Sequence, residues 1–364
     1  MSGLPETRDN RLTHSRIQCA KTCLRKHYLL YVLGLRPDRE APPLRMGRAF
    51  HRGMELAAQM GRDEAILGAV ADYDAGPPPD FDEEQVYKWQ IERETVARLL
   101  AGHFWRWAEA DAEMEIVATE EAFQIPLRNH VSGRTSRTWT LAGKRDRVSW
   151  LPDRRLAIVE YKTTSSDLDP GSDYWKRLII DSQVSLYWLS ALDSGLDVQT
   201  VIYDVARKPV IRPRQIPMLD EEGNKIVFDI AGNRVFKKDG KPRQSASVKD
   251  GYTLRTRMET PEEYGERFTS DIVERPDYYF ARREIPRLPS DIEEARFELW
   301  QWGKILRDCE RYGRWPRNTS ACNGFGRCAC WDLCTGGFDP ADGVVPEGWI
   351  QVGDVHQELL TEEG

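Results

Sequence analysis

The run Leu156-Ala157-Ile158-Val159 leads straight into Glu160-Tyr161-Lys162, and this short stretch constrains the fold strongly. A continuous apolar run of this length, bounded by turn formers, reads as a strand covered on both faces. Side chains alternate along a strand, so Glu160 and Lys162 leave the core on the same face. Two further segments precede it, 115–126 and 138–150, rich in β-branched and aromatic residues. Asn129, Gly133 and Pro152-Asp153 supply turns between them, and such short links predict an antiparallel meander. A helix is expected over 173–194 and another strand over 199–207. The order helix, three strands, helix, strand predicts an α/β fold, a mixed sheet flanked by helices.

The flanks divide by pattern. Region 1–114 reads as helical, with helices over 11–34, 44–60 and 83–113; Ile17, Leu24, Tyr28 and Tyr31 recur at helical spacing in the first. The core occupies 115–207. Segment 208–260 reads as a β-hairpin insertion, because Gly223-Asn224, Gly232-Asn233 and Asp239-Gly240 are turn dipeptides. Its Lys237, Lys238, Lys241 and Arg243 suit contact with DNA or an ordinary solvated tip. Region 261–334 is helical again, interrupted around Pro286 and Pro289. The acidic tail, 335–364, is expected to be peripheral. No internal repeat is expected.

Charge excludes some classes of function. A net charge of −7 argues against a protein that coats nucleic acid over its whole surface. Residues 1–55 nevertheless hold 11 Lys and Arg against 5 Asp and Glu, which allows a local phosphate-binding face. No run of about 18 apolar residues is present, so no membrane contact is expected. The polar segment 1–10 lacks the apolar stretch of a signal peptide, so the expected location is the cytoplasm.

Of the seven cysteines, four crowd near the C-terminus. An odd number of thiols without a signal peptide argues against a disulfide framework and for metal ligation. Thiolates suit an iron–sulfur cluster and a structural Zn²⁺ equally well.

Asp146, near the end of the second strand, joins Glu160 and Lys162 if their strands are neighbours. Two carboxylates beside an ammonium suit phosphodiester hydrolysis: hard oxygen ligands hold Mg²⁺ or Mn²⁺, and a lysine positions water or offsets charge. Taken alone, the three residues suit a surface salt-bridge pair better than a catalytic site. His51 lies four residues after Gly47 on a predicted helix, and an imidazole can complete a divalent metal shell. Gln183 and Tyr187 share a helix face.

This series resembles the RecB-like, exonuclease V-like branch of the PD-(D/E)XK nucleases, whose pattern runs G-x-x-x-H, G-x-x-D-R, (D/E)-x-K and Q-x-x-x-Y. The matching residues are Gly47 and His51, Gly143 with Asp146-Arg147, Glu160 with Lys162, and Gln183 with Tyr187. The resemblance covers roughly residues 11–207 and 261–334. It implies a restriction-endonuclease-like core in which His51, Asp146 and Glu160 bind Mg²⁺ or Mn²⁺. Lys162 would be catalytic, with Gln183 and Tyr187 supporting the substrate and the site. Iron–sulfur members hold a [4Fe–4S] cluster with one N-terminal and three C-terminal cysteines, here Cys23 with Cys322, Cys328 and Cys334. That cluster would staple the two helical parts together, and structural Zn²⁺ is the alternative. Cys330 stands where the family usually has tyrosine and competes with Cys328. Cys19 competes with Cys23, and Cys309 reads as a helix residue.

The function implied is a metal-dependent DNA exonuclease acting on single-stranded ends in recombination, repair or phage DNA processing. The chain contains no G-x-x-x-x-G-K-[ST] motif, so a separate helicase or recombination protein is an expected partner. Alternatives are a DNA-end-binding protein without catalysis and a nuclease that trims DNA for CRISPR adaptation.

Overall fold

The computed structural model describes residues 3–7, 9–324 and 326–359. The last five residues of the acidic tail and the first two of the polar N-terminal segment lie outside the described residues, as do Arg8 and Phe325.

Around the expected meander the chain builds a six-stranded mixed sheet. Its strands are β1 (Arg11–Leu12), β3 (Glu115–Arg128), β4 (Thr135–Trp150), β5 (Leu156–Thr164), β6 (Val198–Arg207) and β11 (Phe280–Glu284). Pairing is antiparallel for β3/β4, β4/β5 and β6/β11, and parallel for β1/β4 and β5/β6. The parallel β5/β6 pair is joined by α7 (Asp173–Leu178) and α8 (Ser182–Asp193), as a crossover requires. Of the remaining strands, β2 (Leu35–Pro37) pairs with β12 (Trp349–Gln351). Within the insertion β7 (Gln215–Pro217) pairs with β10 (Thr256–Met258), and β8 (Val227–Phe228) with β9 (Thr253–Leu254).

Helices cover both faces. The N-terminal ones are α1 (His14–Thr22), α2 (Leu24–His27), α3 (Pro42–Leu56), α4 (Arg62–Asp74), α5 (Glu83–Arg106) and α6 (Ala108–Ala112). After the insertion come α9 (Pro261–Glu274), α10 (Pro276–Tyr279), α11 (Pro289–Tyr312) and α12 (Trp331–Thr335). One apolar layer joins Ile158, Val201 and Tyr203 of the sheet to Val184 and Tyr187 of α8 and Leu299 of α11. The opposite layer joins Val159, Tyr161 and Ile202 to Phe50 of α3, Leu100 of α5 and Phe268 of α9. Because β5 is covered on both sides, its unbroken apolar run follows.

Four differences from the sequence reading matter. The helix expected over 173–194 breaks at 179–181, where the Asp181 carboxylate accepts the Gln183 N–H at 2.7 Å and starts a new helix. Short strands β1 and β11 come from regions that read as helical, and both extend the central sheet. The tail is not peripheral over its described part: β12 pairs with β2, and Val355 and His356 are buried. The insertion does contain a repeat. Asp220-Glu221-Glu222-Gly223-Asn224 and Asp229-Ile230-Ala231-Gly232-Asn233 form the same turn, each followed by a Val-Phe pair, and Lys237-Lys238-Asp239-Gly240-Lys241 repeats it again. In each turn the first residue's carbonyl accepts from the glycine N–H, and its own N–H donates to the carbonyl of the fifth residue. The glycines sit at φ +80°, +84° and +80°, a region L side chains rarely adopt.

Candidate active site

Strand β4 pairs with β5 only from Arg147↔Val159 to Trp150↔Leu156, whereas β5 stays paired with β6 up to Thr164↔Arg207. Beyond Val159 the two strands splay apart. Strand separation leaves the Tyr161 N–H without a ladder partner, and the Asp146 carboxylate accepts it through Oδ2 at 2.8 Å. Glu160 and Lys162 emerge at the same gap, and Lys162 Nζ donates to Glu160 Oε1.

Helices close the gap from two sides. His51 of α3 places Nδ1 3.5 Å from Asp146 Oδ2. From α8, Gln183 Nε2 donates to Glu160 Oε1 at 2.9 Å and to the Tyr187 hydroxyl at 2.8 Å. The recapping at Asp181 aims Gln183 in this direction, so the helix break serves the site. Six residues expected from separate motifs, His51, Asp146, Glu160, Lys162, Gln183 and Tyr187, thus form one connected group.

Glycine spacing in the motifs has a packing cause at one position. A Cβ on Gly143 of β4 would lie 2.5 Å from the ring of Phe123, so only glycine lets the ring cross the strand there. At Gly47 an added Cβ would sit 3.5 Å from Thr163 Oγ1, an ordinary contact, so close approach does not explain that glycine.

Burial governs the electrostatics. Asp146 and Glu160 are buried, while Lys162 and His51 are partly exposed. Burial pushes the Asp146 carboxyl up to about 6, with Glu120 adding repulsion against the opposing pull of Lys162. Burial and then Asp146 push Glu160 up to about 7. Burial, followed by the Lys162 charge, lowers His51 to about 4, so its imidazole is neutral at pH 7. Burial also pulls on Lys162, but Glu160 and Asp146 outweigh it and hold the ammonium above its ordinary value.

This donor set fits a hard divalent cation. Glu160 Oε2 is a buried carboxylate oxygen without a hydrogen-bond partner, two carboxylates stand under mutual repulsion, and a neutral imidazole lies beside them. Among the described residues, however, no group of three or more His, Cys, Asp or Glu is drawn into metal-holding geometry, here or at the cysteines.

Sequence reasoning missed Glu120 and Lys144. Glu120 of β3 has φ +50°, rare for a residue with a side chain, and forms an ion pair with Lys144. It raises the pKa of Asp146 from across β4. Lys144 was readable from Gly143-Lys144-Arg145-Asp146, but the irregular backbone of β3 was not. Asp146 also lines a cavity of about 200 Å³, together with Arg147, Tyr161, Arg62, Phe104 and Asp111.

The cysteines gather where the chain ends meet. Cys23 separates α1 from α2, and its Sγ accepts from Asn318 N at 3.4 Å; Cys322 Sγ donates to Asn318 O at 3.9 Å. Cys328 N donates to Cys322 O at 2.9 Å, and Cys334 lies in α12. Cys330 is fully buried in an apolar cluster with Leu29, Leu33 and Leu333, and burial pushes its thiol up to about 12. Cys19, Cys23, Cys322, Cys328 and Cys334 are partly exposed, and burial raises Cys19 to about 11. Cys309 is buried in α11. All seven are free thiols.

Comparison with known proteins finds relatives for part of the chain. Over 205 residues, 54% of this chain, it is 27% identical to a subunit of the ATP-dependent helicase/deoxyribonuclease of Streptococcus equi subsp. zooepidemicus strain H70, and 26% identical to the same protein of strain MGCS10565. The match spans only 18% of those relatives' length. Solved structures that resemble it include SSO0001, at a TM-score of 0.28 and 11% identity over 82% of this chain and 77% of that one. A candidate exonuclease of Eubacterium rectale gives a TM-score of 0.39 and 12% identity over 88% of this chain and 87% of that one. The family model of the PD-(D/E)XK nuclease superfamily matches residues 11–335, nearly the whole of the chain, and the protein belongs to that superfamily.

Proposed function

We propose that this protein is a DNA exonuclease that uses Mg²⁺ or Mn²⁺ and acts on single-stranded ends. One observation carries the reading: Asp146, Glu160 and Lys162 meet at the point where β4 and β5 splay, with His51 and Gln183 closing the gap. Asp146, Glu160 and His51 would hold the cation. When bound, it polarises the scissile phosphate and lowers the pKa of the attacking water.

The chain's own groups supply the rest. Lys162 Nζ stays protonated and offers N–H donors that orient water and offset charge at the phosphate oxygens. Gln183 fixes the Glu160 carboxylate by its amide N–H and is itself buttressed by Tyr187. Arg147 is buried against Ser149 Oγ at 2.6 Å and Tyr161, holding the strand next to Asp146.

In the same reading Cys23, Cys322, Cys328 and Cys334 hold a [4Fe–4S] cluster, with Zn²⁺ as the competing occupant. The partial exposure of these four thiols and the burial of Cys330 among leucines support this choice. Unwinding would be supplied by a separate helicase or recombination protein, a pairing supported by the name of the streptococcal relatives.

The test is digestion of end-labelled linear, end-blocked and circular single-stranded DNA by protein purified without oxygen, with Mg²⁺, Mn²⁺ or chelator. Metal-dependent loss of linear DNA with circles intact supports the reading. Binding without turnover under every divalent metal would instead make the protein a DNA-end-binding relative.

A further inference from the structure

The insertion between β6 and α9 is a stack of tight turns in which three arginines pair with carboxylates while the exposed lysines do not. Arg234 pairs with Asp220, Arg243 with Asp250 at 3.6 Å, and Arg257 with Glu263 at 2.6 Å. Arg243 also lies over Tyr252 at 4.6 Å and Arg255 over Phe228 at 5.8 Å. Lys225, Lys237, Lys238, Lys241 and Lys249 are exposed, and none forms an ion pair among the described residues. Residues 208–258 carry twelve Lys and Arg against six Asp and Glu, an excess of six in a chain whose net charge is −7.

The repeat shows where that charge is placed. In its first two copies Asp220 and Asp229 close the turn: their Oδ1 atoms accept from Asn224 N at 2.7 Å and Asn233 N at 2.8 Å. In the third copy the same two positions are Lys237 and Lys241. A lysine at the turn's first position cannot accept the N–H that aspartate accepts, and here Asp239 Oδ1 takes the Lys241 N–H instead, at 3.2 Å. The turn persists, closed by Asp239, and its first and fifth positions place two cations on an exposed tip beside Phe236, which is 52% exposed.

The stack also has a fixed root next to the catalytic strand. Lys208 N donates to Thr164 O at 2.7 Å, two residues past Lys162, or about 7 Å along β5. Lys208 Nζ donates to Pro43 O at the start of α3, the helix that carries His51. At the other end buried Glu259 takes two bonds from Arg267 of α9 at 2.7 and 2.8 Å and one from Arg214 N at 3.1 Å; its carbonyl accepts from Tyr87 of α5.

We propose that this stack is a nucleic-acid arm: Lys237, Lys238 and Lys241, with Lys225 and Lys249, hold the phosphates of the single strand that runs to or from the catalytic gap. Charge complementarity selects a polyanion, and the lysine-rich tip with exposed Phe236 suits a flexible single strand better than an apolar protein face. The inference rests on the nuclease reading above and gives that site its substrate-gripping surface.

The test uses the full chain with Ca²⁺ in place of the activating metal. Anisotropy of a labelled ~30-nucleotide DNA is measured from about 50 to about 200 mM salt for the parent and for K237Q/K238Q/K241Q. Each lost phosphate contact removes about 0.7 from the logarithmic salt slope, so the triple variant is expected to lose about 2, and the parent's advantage to shrink about 20-fold across that range. The arginine triple K237R/K238R/K241R is expected to restore binding. Cleavage of a dinucleotide-length phosphodiester is expected to be equal in parent and variant. Equal affinity and equal slope for the 30-mer in a variant that folds would overturn the arm, leaving the tip for contact with protein. Failure of the parent itself to cleave any DNA would strike the nuclease reading instead.

Discussion

Gln183 on α8 donates one amide nitrogen to Glu160 on β5 at 2.9 Å and to Tyr187, one helical turn along, at 2.8 Å. A carboxylate with one oxygen so held and the other without a hydrogen bond has its orientation set by a neighbour rather than by the backbone. Gln183→Ala is therefore expected to lower nuclease activity by roughly 10–100-fold, with affinity for Mn²⁺ falling alongside. Titration of Mn²⁺ into parent and variant checks this. Unchanged metal affinity with full activity would remove Gln183 from the account.

Gly143 gives a packing prediction. The Phe123 ring lies where a Cβ would be, three residues before Asp146. Gly143→Ala must move that ring or bend β4, at a cost of about 1–3 kcal/mol. Chemical denaturation measures the loss. Shortening the ring as well, in a Gly143→Ala/Phe123→Leu double variant, is expected to recover part of it.

The clasp between the two ends of the chain is pH-sensitive. Buried His356 meets Asp9 Oδ1 at 3.4 Å, Glu358 Oε1 at 3.2 Å and Arg11 O at 3.1 Å. Burial opposes its charge, but the bonds to Asp9 and Glu358 prevail and raise its pKa above the ordinary value. A raised histidine stabilises fully below its unfolded value of about 6.5, and that contribution is lost as pH rises through the folded value. Burial likewise opposes the Asp9 charge, yet His356 and Arg11 hold Asp9 well below the carboxylate range, so this part of the clasp survives mild acid. Hydrogen-exchange protection over residues 349–359, taken relative to the intrinsic base-catalysed rate, is expected to fall as pH rises above about 6.5. His356→Ala is expected to abolish that pH dependence and to cost about 1–3 kcal/mol.

The cysteines divide by environment. Cys23→Ser is expected to remove bound iron and the brown colour, because it deletes a partly exposed thiol at the junction of the chain ends. Cys330→Ser is expected to keep the iron and lose about 1–3 kcal/mol, since a hydroxyl would be buried among Leu29, Leu33 and Leu333. Iron content together with thermal melting separates the two. Iron loss in both variants alike would reverse the choice between Cys328 and Cys330.

Much of the core was legible because its patterns are local. The run 156–159 and the two-residue spacing of Glu160 and Lys162 fix a strand and a shared face, and the short turn at Pro152-Asp153 makes β4 and β5 neighbours. The splay that opens the site was not legible, because it depends on where pairing stops. Strand β11 lies between helical stretches and is recognised only by the β6 edge it completes. Helix α4 has almost no amphipathic contrast, so periodicity could not reveal it. The break at 179–181 was hidden because part of its support comes from far along the chain: Arg287 donates to the carbonyls of Asp181 at 2.7 Å and of Leu178 at 3.0 Å. The repeat in the insertion escaped notice because its copies are nine and then eight residues apart and the third has exchanged aspartate and asparagine for lysine.

Catalysis by one carboxylate–lysine cluster is tested most directly by rates of DNA digestion for the parent, for Lys162→Ala and for the double variant D146N/E160Q. Both variants remove charge from the same splayed gap; the double variant relieves two raised carboxyls and at the same time takes from Lys162 the counter-charges that hold its ammonium there. The expected result is a loss of about 10²–10⁴-fold in each, with a cooperative melting transition retained in both. Digestion by the double variant at the parental rate would contradict the account.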